Sequence, residues 1–348
     1  MINQRLFERY QIDTNKNLQI PKVCGRPFDT LLIDKLGSCY ACECTAWLPQ
    51  SVGNIQIQSL DEILQSKYRK HLQDSVSDQS YRYCNQGQCS YLKEYHEGAE
   101  TREYIPQEQQ TFTIRLAIDD SCNLQCPSCR VSRIFVSKGP TLSRKKKWVN
   151  NIVDWIDRQT KNIKIVIGSD GDPFASLVYR YFMTQAEKHK WSHVTYDFQT
   201  NGMLVSKMYQ RYRWIFDRTE VLNISVDGST TEVYEKLRRG GSFNQLKQNF
   251  KFLKDIERNF KIHLHMVVQQ DNWKQMPNIL AMLDTYGFEK AYFNLIQDWS
   301  TYIDIKEQTK FTSEPQYQDM KKMLFKDKRA MIDQLSYCLL YTSDAEDE

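Results

Sequence analysis

Three cysteines on one short stretch are the residues whose type and spacing most directly predict chemistry. Cys122, Cys126 and Cys129 are separated by three and then two residues, and they follow the strand-like run 111–118. Three thiolates on one tight loop can bind three irons of a cubane [4Fe-4S] cluster and leave the fourth iron without a protein ligand. An iron with an open coordination position is a site for reaction.

The same three cysteines could instead form a structural zinc site or part of a disulfide framework. Structural zinc normally takes four ligands in paired spacings, and no histidine lies close to these cysteines in the sequence. The chain has ten cysteines and no secretory signal, which favours a reducing compartment and metal ligation over disulfides. The spacing therefore favours the cluster over zinc.

At these cysteines the sequence resembles the radical S-adenosylmethionine (SAM) superfamily, which carries Cys-x3-Cys-x2-Cys after its first barrel strand. The resemblance implies that the methionine amino and carboxylate groups of SAM chelate the open iron. An electron from the cluster would then cleave the sulfonium of SAM and give a 5'-deoxyadenosyl radical that abstracts hydrogen from a C–H bond. The cofactors would carry this chemistry, while the protein positions and shields them.

Downstream of the cysteines, short apolar runs alternate with longer helical patterns, and this predicts an α/β fold with a parallel sheet and crossover helices. Six such units with right-handed crossovers would form an open (βα)6 arc, a partial radical SAM barrel, with the ligand at the carboxyl ends of the strands. The predicted strands span residues 111–118, 163–167, 194–198, 221–226, 262–268 and 291–296. The predicted helices span residues 143–159, 173–190, 240–258, 273–286 and 311–340.

Motifs after the later strands extend the resemblance to the SAM contacts. The glycine-rich segment 168–174 resembles the one that receives the SAM amino group through backbone carbonyls and an acidic side chain, and glycine permits that close approach. Ser225, Asp227 and the downstream Arg238 resemble the residues that face the ribose and the methionine carboxylate, where Arg238 would bind the carboxylate. Each motif alone is also a common turn sequence. The predicted cofactor-binding residues are Gly168, Gly171, Asp172, Pro173, Asn201, Ser225, Asp227 and Arg238.

A second set of cysteines lies in the first hundred residues. Cys24, Gly37 and Cys42 match the spacing of the SPASM/twitch region of radical SAM enzymes, which binds auxiliary [4Fe-4S] clusters and usually follows the barrel. The resemblance implies a four-thiolate site that Cys84 and Cys89 complete. Four cysteines could also hold zinc, because spacing alone does not distinguish the two metals.

Three further cysteines have no assigned ligand role. Cys39 and Cys44 fall outside the spacing of the SPASM/twitch region and are predicted to be buried apolar fillers. Cys338 belongs to a carboxyl-terminal segment that ends in the acidic tail 342–348, which resembles a translated adapter, so we expect the native carboxyl terminus to be missing.

Composition is that of an ordinary globular enzyme. The 348 residues are 41% hydrophobic and 26% charged, with a formal net charge of +4 that is too small to imply binding to nucleic acid. No signal peptide and no apolar run long enough to span a bilayer occurs in the sequence, so we expect a cytoplasmic protein without a membrane partner. The predicted domains are a small Cys-rich α+β SPASM/twitch-like domain at 1–106, a radical SAM core at 107–305, and a carboxyl-terminal helix and tail at 306–348.

The resemblance implies a radical SAM oxidoreductase or maturase whose substrate is a peptide or protein and whose electron donor is a flavodoxin or ferredoxin. Two alternatives remain open: a radical dehydrogenase of carbohydrates or other small molecules, and a non-catalytic iron–sulfur sensor or electron carrier. His263 and His265 lie two residues apart on the fifth predicted strand and share one face of it. We expect them to be packed or surface residues, and they could contact substrate only if that face points into the barrel.

Overall fold

A computed structural model describes residues 24–43, 45, 48, 50–84, 89, 111–168, 170–298, 301–302 and 304–332. Cys44, Cys338, the acidic tail and the predicted domain boundary at residue 106 lie outside the described residues. Within these ranges, no helix is both long enough and apolar enough to cross a membrane. The described chain divides into two compact units. The first comprises the residues up to Ile118 together with Ser143–Ile165, and the second comprises Asp119–Leu142 and the residues from Val166 onward.

The first unit is an α+β arrangement around a short mixed sheet. Strand β1 pairs in parallel with β4 and antiparallel with β2, and β2 pairs antiparallel with β3. All four residues of β1 are buried, which is the pattern of a strand covered on both faces of its sheet. These strands are β1 (Thr30–Ile33), β2 (Ser38–Tyr40), β3 (Gly53–Asn54) and β4 (Phe112–Leu116). The helices are α1 (Arg26–Asp29), α2 (Leu60–Leu64), α3 (Lys67–Ser77) and most of α4 (Gly139–Asp157).

The second unit contains five parallel strands that pair in chain order, from β6 to β10. They are β6 (Val194–Thr200), β7 (Thr219–Ser225), β8 (Lys261–Val268), β9 (Lys290–Leu295) and β10 (Ala330–Ile332), while β5 (Ile163–Ile167) spans the division between the units. The helices are α5 (Leu177–His189), α6 (Val205–Arg211), α7 (Arg213–Asp217), α8 (Thr231–Leu237), α9 (Phe243–Asp255), α10 (Met276–Tyr286), α11 (Ile305–Thr309) and α12 (Pro315–Leu324). Two 3-10 turns, Trp273–Gln275 and Lys310–Ser313, precede α10 and α12.

All six predicted strands are present, each within two residues of its predicted bounds. Two predicted helices start later than expected, because the hydroxyls of Ser176 and Ser242 cap α5 and α9. The predicted single helix at 311–340 is wrong over its described part. That part contains a 3-10 turn, α12 and β10, and residues 333–340 lie outside the described residues.

The parallel strands of the second unit have one apolar and one polar face. On β6, for example, Tyr196 and Phe198 are buried, whereas the alternate residues are only partly so. The second face carries polar side chains that face their neighbours in register, such as Ser225 beside His265 and His265 beside Tyr292. Because residues i and i+2 share a face, these polar residues line one continuous surface of the sheet.

Candidate functional site

The three cysteines of the motif lie together on the loop that opens the second unit. Cys122 donates its backbone N–H to Ile134 O at 3.0 Å, and Cys129 N–H donates to Cys126 O at 3.0 Å, so the second and third cysteines are joined by a tight turn. Cys122 and Cys126 are buried, whereas Cys129 is exposed. Burial raises the pKa of Cys122 and raises that of Cys126 to about 11. A bound metal would have to displace these protons, as metals do when they bind cysteine.

Each of the three sulfurs has an N–H group beside it. Leu124 N lies 3.4 Å and Asn201 Nδ2 lies 3.6 Å from Cys122 Sγ. Arg238 Nη1 lies 3.8 Å from Cys126 Sγ, and Arg130 Nη2 lies 3.4 Å from Cys129 Sγ. Hydrogen bonds of this kind stabilise the thiolates that bind an iron–sulfur cluster. The loop therefore suits anionic sulfur ligands.

This arrangement fits a cluster better than a single ion. Within the described residues, no group of three or more His, Cys, Asp or Glu side chains converges on a point where one metal ion could bind. A cubane cluster does not require the sulfurs to converge on one point, because each thiolate binds a different iron. The donor set of three cysteines and its N–H neighbours matches the three-ligand cluster that the sequence predicts.

Glycine is required where the segment 168–174 approaches the cysteine loop. A Cβ on Gly171 would lie 2.5 Å from Ser121 O and 2.7 Å from Asp119 O. Gly168 has φ +109° and would place a Cβ against Gln199 O. The cysteine loop and the segment 168–174 therefore contact each other through backbone atoms, with no room for a side chain at Gly171.

The carboxylate of Asp172 is fully used by the chain itself. Its Oδ1 accepts from the backbone N–H groups of Phe174 (3.0 Å) and Ala175 (3.1 Å). Its Oδ2 accepts from Thr200 Oγ1 and from the backbone N–H of Asn201, both at 2.8 Å. Burial raises the pKa of Asp172, and these four hydrogen bonds oppose that rise. The expected side-chain contact to SAM therefore competes with four donors that tie this segment to the end of β6.

Asn201 links the end of β6 to the cysteine loop. Its Nδ2 donates to Asn123 Oδ1 at 2.8 Å and approaches Cys122 Sγ, while its Oδ1 accepts from Met203 N–H at 3.0 Å. The side chain predicted to bind cofactor thus lies directly beside the first cysteine.

Asp227 and Arg238 form a buried ion pair next to the second cysteine. Arg238 Nε lies 2.6 Å from Asp227 Oδ2, and Asp227 Oδ1 accepts from Val267 N–H at 2.8 Å. Burial acts to lower the pKa of Arg238, but the charge of Asp227 outweighs it and raises the pKa. Ser225 is partly exposed at the end of β7, where its Oγ accepts from Gln199 Nε2 at 2.9 Å. The structure therefore places Gly171, Asn201 and Arg238 in contact with the cysteine loop, whereas Ser225 contacts Gln199.

The histidine pair lies on the polar face of the sheet. His265 shares a hydrogen bond of 2.9 Å between its Nε2 and Asn223 Oδ1, and its ring stacks on Tyr292 with centroids 4.5 Å apart. His263 is buried, and its Nε2 has no hydrogen-bond partner. Burial lowers the pKa of His263 to about 4 and that of His265 to about 3, so both are neutral near pH 7.

The four cysteines that the sequence predicts as ligands of the auxiliary cluster all belong to the first unit. Burial raises the pKa of Cys84, and the nearby thiols of Cys24, Cys42 and Cys89 raise it further. Burial likewise raises the pKa of Cys24 to about 12. Cys39 is not part of this group: it is buried, and its Sγ faces Gly37 O at 3.6 Å.

The residue after Cys42 in the sequence carries a partly buried carboxylate. Glu43 lies 3.1 Å from Arg115 and 3.3 Å from Arg26, and its side chain is 12% exposed. Burial acts to raise the pKa of Glu43, but the charges of Arg115 and Arg26 lower it below its ordinary value. The sequence analysis did not identify this cluster, because nothing in the spacing of the three residues pairs them.

Arg130 is the site residue that the motif itself did not reveal. It follows the third cysteine directly, and only the structure shows that its guanidinium turns back to Cys129 Sγ. An arginine beside a cysteine motif carries no spacing signal, because its long side chain could equally extend into solvent.

Comparison with known proteins agrees with both parts of this assignment. Residues 118–283 match the sequence model of the Radical SAM superfamily, and residues 24–90 match the SPASM model, described as an iron–sulfur cluster-binding domain. No curated protein matches the chain.

Solved structures resemble the chain at low identity. Streptococcus suis SuiB bound to precursor peptide SuiA is 13% identical with a TM-score of 0.48, over 79% of this chain and 54% of that chain. Native anSMEcpe with bound AdoMet is 17% identical with a TM-score of 0.43, over 63% of this chain and 63% of that chain. The chain thus spans about half the length of SuiB and less than two thirds of anSMEcpe. The two matches show that the chain carries a radical SAM domain and, ahead of it, an iron–sulfur cluster-binding SPASM domain.

Proposed function

We propose that this protein uses SAM and a [4Fe-4S] cluster held by Cys122, Cys126 and Cys129 to abstract hydrogen from a C–H bond of a peptide or protein. The observation that carries the proposal is the cysteine loop, where three sulfurs lie on one short segment and each has an N–H group beside it. A bound cluster with an open iron would supply an electron to cleave SAM and produce the 5'-deoxyadenosyl radical.

The surrounding residues have two kinds of role in this proposal. Gly168, Gly171, Pro173, Asn201, Ser225 and Arg238 line the SAM site, through backbone groups in the first three and side chains in the others. Asp172 and Asp227 position these groups, because their carboxylates are already bonded to the chain. Asp172 holds Asn201 beside the loop, and Asp227 orients Arg238, which keeps further N–H groups for the methionine carboxylate.

The amino-terminal unit would hold an auxiliary [4Fe-4S] cluster through Cys24, Cys42, Cys84 and Cys89. The effect of the other three thiols on the pKa of Cys84 supports this proposal, and a set of four thiolates is what such a cluster needs. In an oxidative reaction, this cluster would accept the electron that the substrate radical releases. A flavodoxin or ferredoxin would supply the electron for SAM cleavage.

Two other functions make different demands on the same residues. A small-molecule radical dehydrogenase would use the same SAM site with a different substrate. A redox sensor would need a cluster but no SAM site, and it would have no use for the Asp227–Arg238 pair or the glycine-stacked loop beside the cysteines. These features favour an enzyme.

The proposal is tested by SAM cleavage in the anaerobically reconstituted and reduced protein. The wild-type chain should produce 5'-deoxyadenosine, and Cys122→Ala, Cys126→Ala or Cys129→Ala should abolish it, because each removes one of only three ligands. Cys39→Ala is the matched control, since that thiol is buried and its Sγ lies 3.6 Å from Gly37 O. The proposal that this protein is a SAM-cleaving enzyme would be refuted if the wild-type protein had its full iron content and did not cleave SAM under a strong reductant.

A further inference from the structure

The guanidinium of Arg130 connects three separate segments at the cysteine loop. Its Nη1 donates to Asp120 O at 2.7 Å, and its Nη2 donates to Asp170 O at 2.9 Å. The same Nη2 lies 3.4 Å from Cys129 Sγ. One planar group thus holds the start of the loop, its third cysteine and the glycine-rich segment 168–174 in a fixed arrangement.

The charge on this group has no carboxylate to balance it. Arg130 is only 9% exposed, and none of the carboxylates in the described part of the chain lies within ion-pair distance of it. Asp120 and Asp170 contribute their carbonyls to it and not their side chains. A buried charge is costly unless it is paired, and two backbone carbonyls do not supply the missing negative charge.

The sulfur of Cys129, beside Arg130, can supply the missing negative charge. When Cys129 binds iron it does so as a thiolate, and its negative charge would lie 3.4 Å from a guanidinium that is already in place. The position is specific to this cysteine: the other two sulfurs have Asn201 with a backbone N–H and Arg238, and Arg238 is already paired with Asp227. Of the two described arginines beside these sulfurs, Arg238 is paired with Asp227, and Arg130 is therefore the one without a carboxylate partner.

We propose that Arg130 is the counter-ion of the iron–sulfur cluster and the clamp that holds its third ligand against the segment 168–174. The inference rests on the proposed function, because it requires a cluster at these cysteines. Two effects follow. The positive charge and the N–H···S bond stabilise the reduced, more negative cluster and so raise its reduction potential. The three-way hydrogen bonding also slows loss of the cluster, since removal of partners outside the ligand shell typically weakens metal binding about 10- to 100-fold.

Three single variants of the full-length reconstituted protein separate these effects. Arg130→Gln removes the charge and the planar fork, whereas Arg130→Lys keeps the charge but loses the fork. Arg133→Gln is the matched control, because it removes the same charge from an exposed position three residues along the same loop. For each variant, we would measure the midpoint potential of the EPR signal that changes on addition of SAM, and the rate of iron loss to a chelator.

Arg130→Gln is expected to shift the midpoint to a more negative potential and to accelerate iron loss about 10- to 100-fold. Arg130→Lys should keep the wild-type potential but lose iron faster than wild type, and Arg133→Gln should match wild type in both. The inference would be overturned if Arg130→Gln had the potential and the iron-loss rate of wild type, or if Arg133→Gln shifted the potential equally. SAM cleavage by the wild-type protein would still support the proposed function in either case. If Arg130→Gln does not fold, Arg130→Lys decides: a midpoint potential clearly more negative than that of wild type, or iron loss at the wild-type rate, refutes the inference. A wild-type protein without any SAM-responsive signal refutes the proposed function itself.

Discussion

Two buried carboxylates near the cysteines have their negative charge balanced or saturated by the chain. Asp172 accepts four hydrogen bonds, and Asp227 pairs with Arg238. Unpaired buried charge costs several kcal/mol, so these contacts fix both side chains in place. The sulfurs of the cysteine loop also have N–H groups within hydrogen-bond distance. Polar groups at this site therefore stabilise negative charge on the cysteines as well as on these two carboxylates.

Gly171→Ala tests how tightly the two loops are stacked. The new methyl group would lie 2.5 Å from Ser121 O and 2.7 Å from Asp119 O, and both atoms belong to backbone that cannot rotate away. Relief of such a clash requires backbone shifts that cost about 1–3 kcal/mol. We expect SAM affinity, measured by isothermal titration of the reconstituted protein, to fall about tenfold or more, which corresponds to about 1.4 kcal/mol.

Gly139→Ala is the control for this substitution. Gly139 has φ +82°, so alanine is strained there as well, but no other atom lies within 4 Å of the added methyl. It should reduce stability slightly and leave SAM affinity unchanged. Equal SAM affinity in Gly171→Ala and wild type would show that the segment 168–174 does not contribute to the SAM site.

At the level of elements, the parallel strands present a polar face with few charges of their own. Ser225, His265 and Tyr292 are neighbours in register across three strands, and Asn223 fixes one nitrogen of His265. Both histidines are neutral because burial opposes their protonation. The surface beside Ser225 therefore offers uncharged hydrogen-bonding groups.

The neutral histidines predict a pH dependence of stability. An unfolded histidine has a pKa of about 6.5, whereas folding lowers that of His263 to about 4. Between these values only the unfolded chain binds the proton, so the free energy of unfolding should fall as the pH drops from about 6.5 to about 4, by up to about 1.4 kcal/mol per pH unit. His263→Gln should reduce this slope in urea unfolding, and the exposed His189→Gln should not. An unchanged slope in His263→Gln would place the proton-linked group elsewhere.

The strands were predictable and their contacts were not. Period-2 apolar runs such as 262–268 identify a strand within a residue or two, because burial of alternate side chains requires that pattern. The same pattern locates the cysteine loop directly after the strand predicted at 111–118. It cannot show that Arg130 turns back to Cys129 or that Asp172 is saturated, because those outcomes depend on which distant donors the fold brings near. The prediction of one helix after residue 311 was wrong for a related reason, since a short apolar run such as 330–332 is compatible with a helix or with a strand.

On the scale of the whole molecule, the two cysteine sets belong to different compact units. Cys122, Cys126 and Cys129 lie in the second unit, whereas Cys24, Cys42, Cys84 and Cys89 lie in the first. The sulfurs of the second unit have N–H neighbours from that same unit, as Arg130 and Arg238 illustrate. Loss of one set should therefore leave the chemistry of the other intact.

Cys42→Ala tests this independence and assigns the amino-terminal metal. Four thiolates could hold zinc or a second [4Fe-4S] cluster, and only the cluster can take up an electron. We expect iron and sulfide analysis to give two clusters per wild-type chain and one in Cys42→Ala, with uncoupled SAM cleavage largely retained, because the three ligands in the other unit are untouched. Cys39→Ala should keep both clusters, since its thiol faces Gly37 and not the other cysteines. Stoichiometric zinc with a single cluster in wild type would overturn the auxiliary cluster and make the first unit a structural zinc module on an otherwise unchanged radical SAM enzyme.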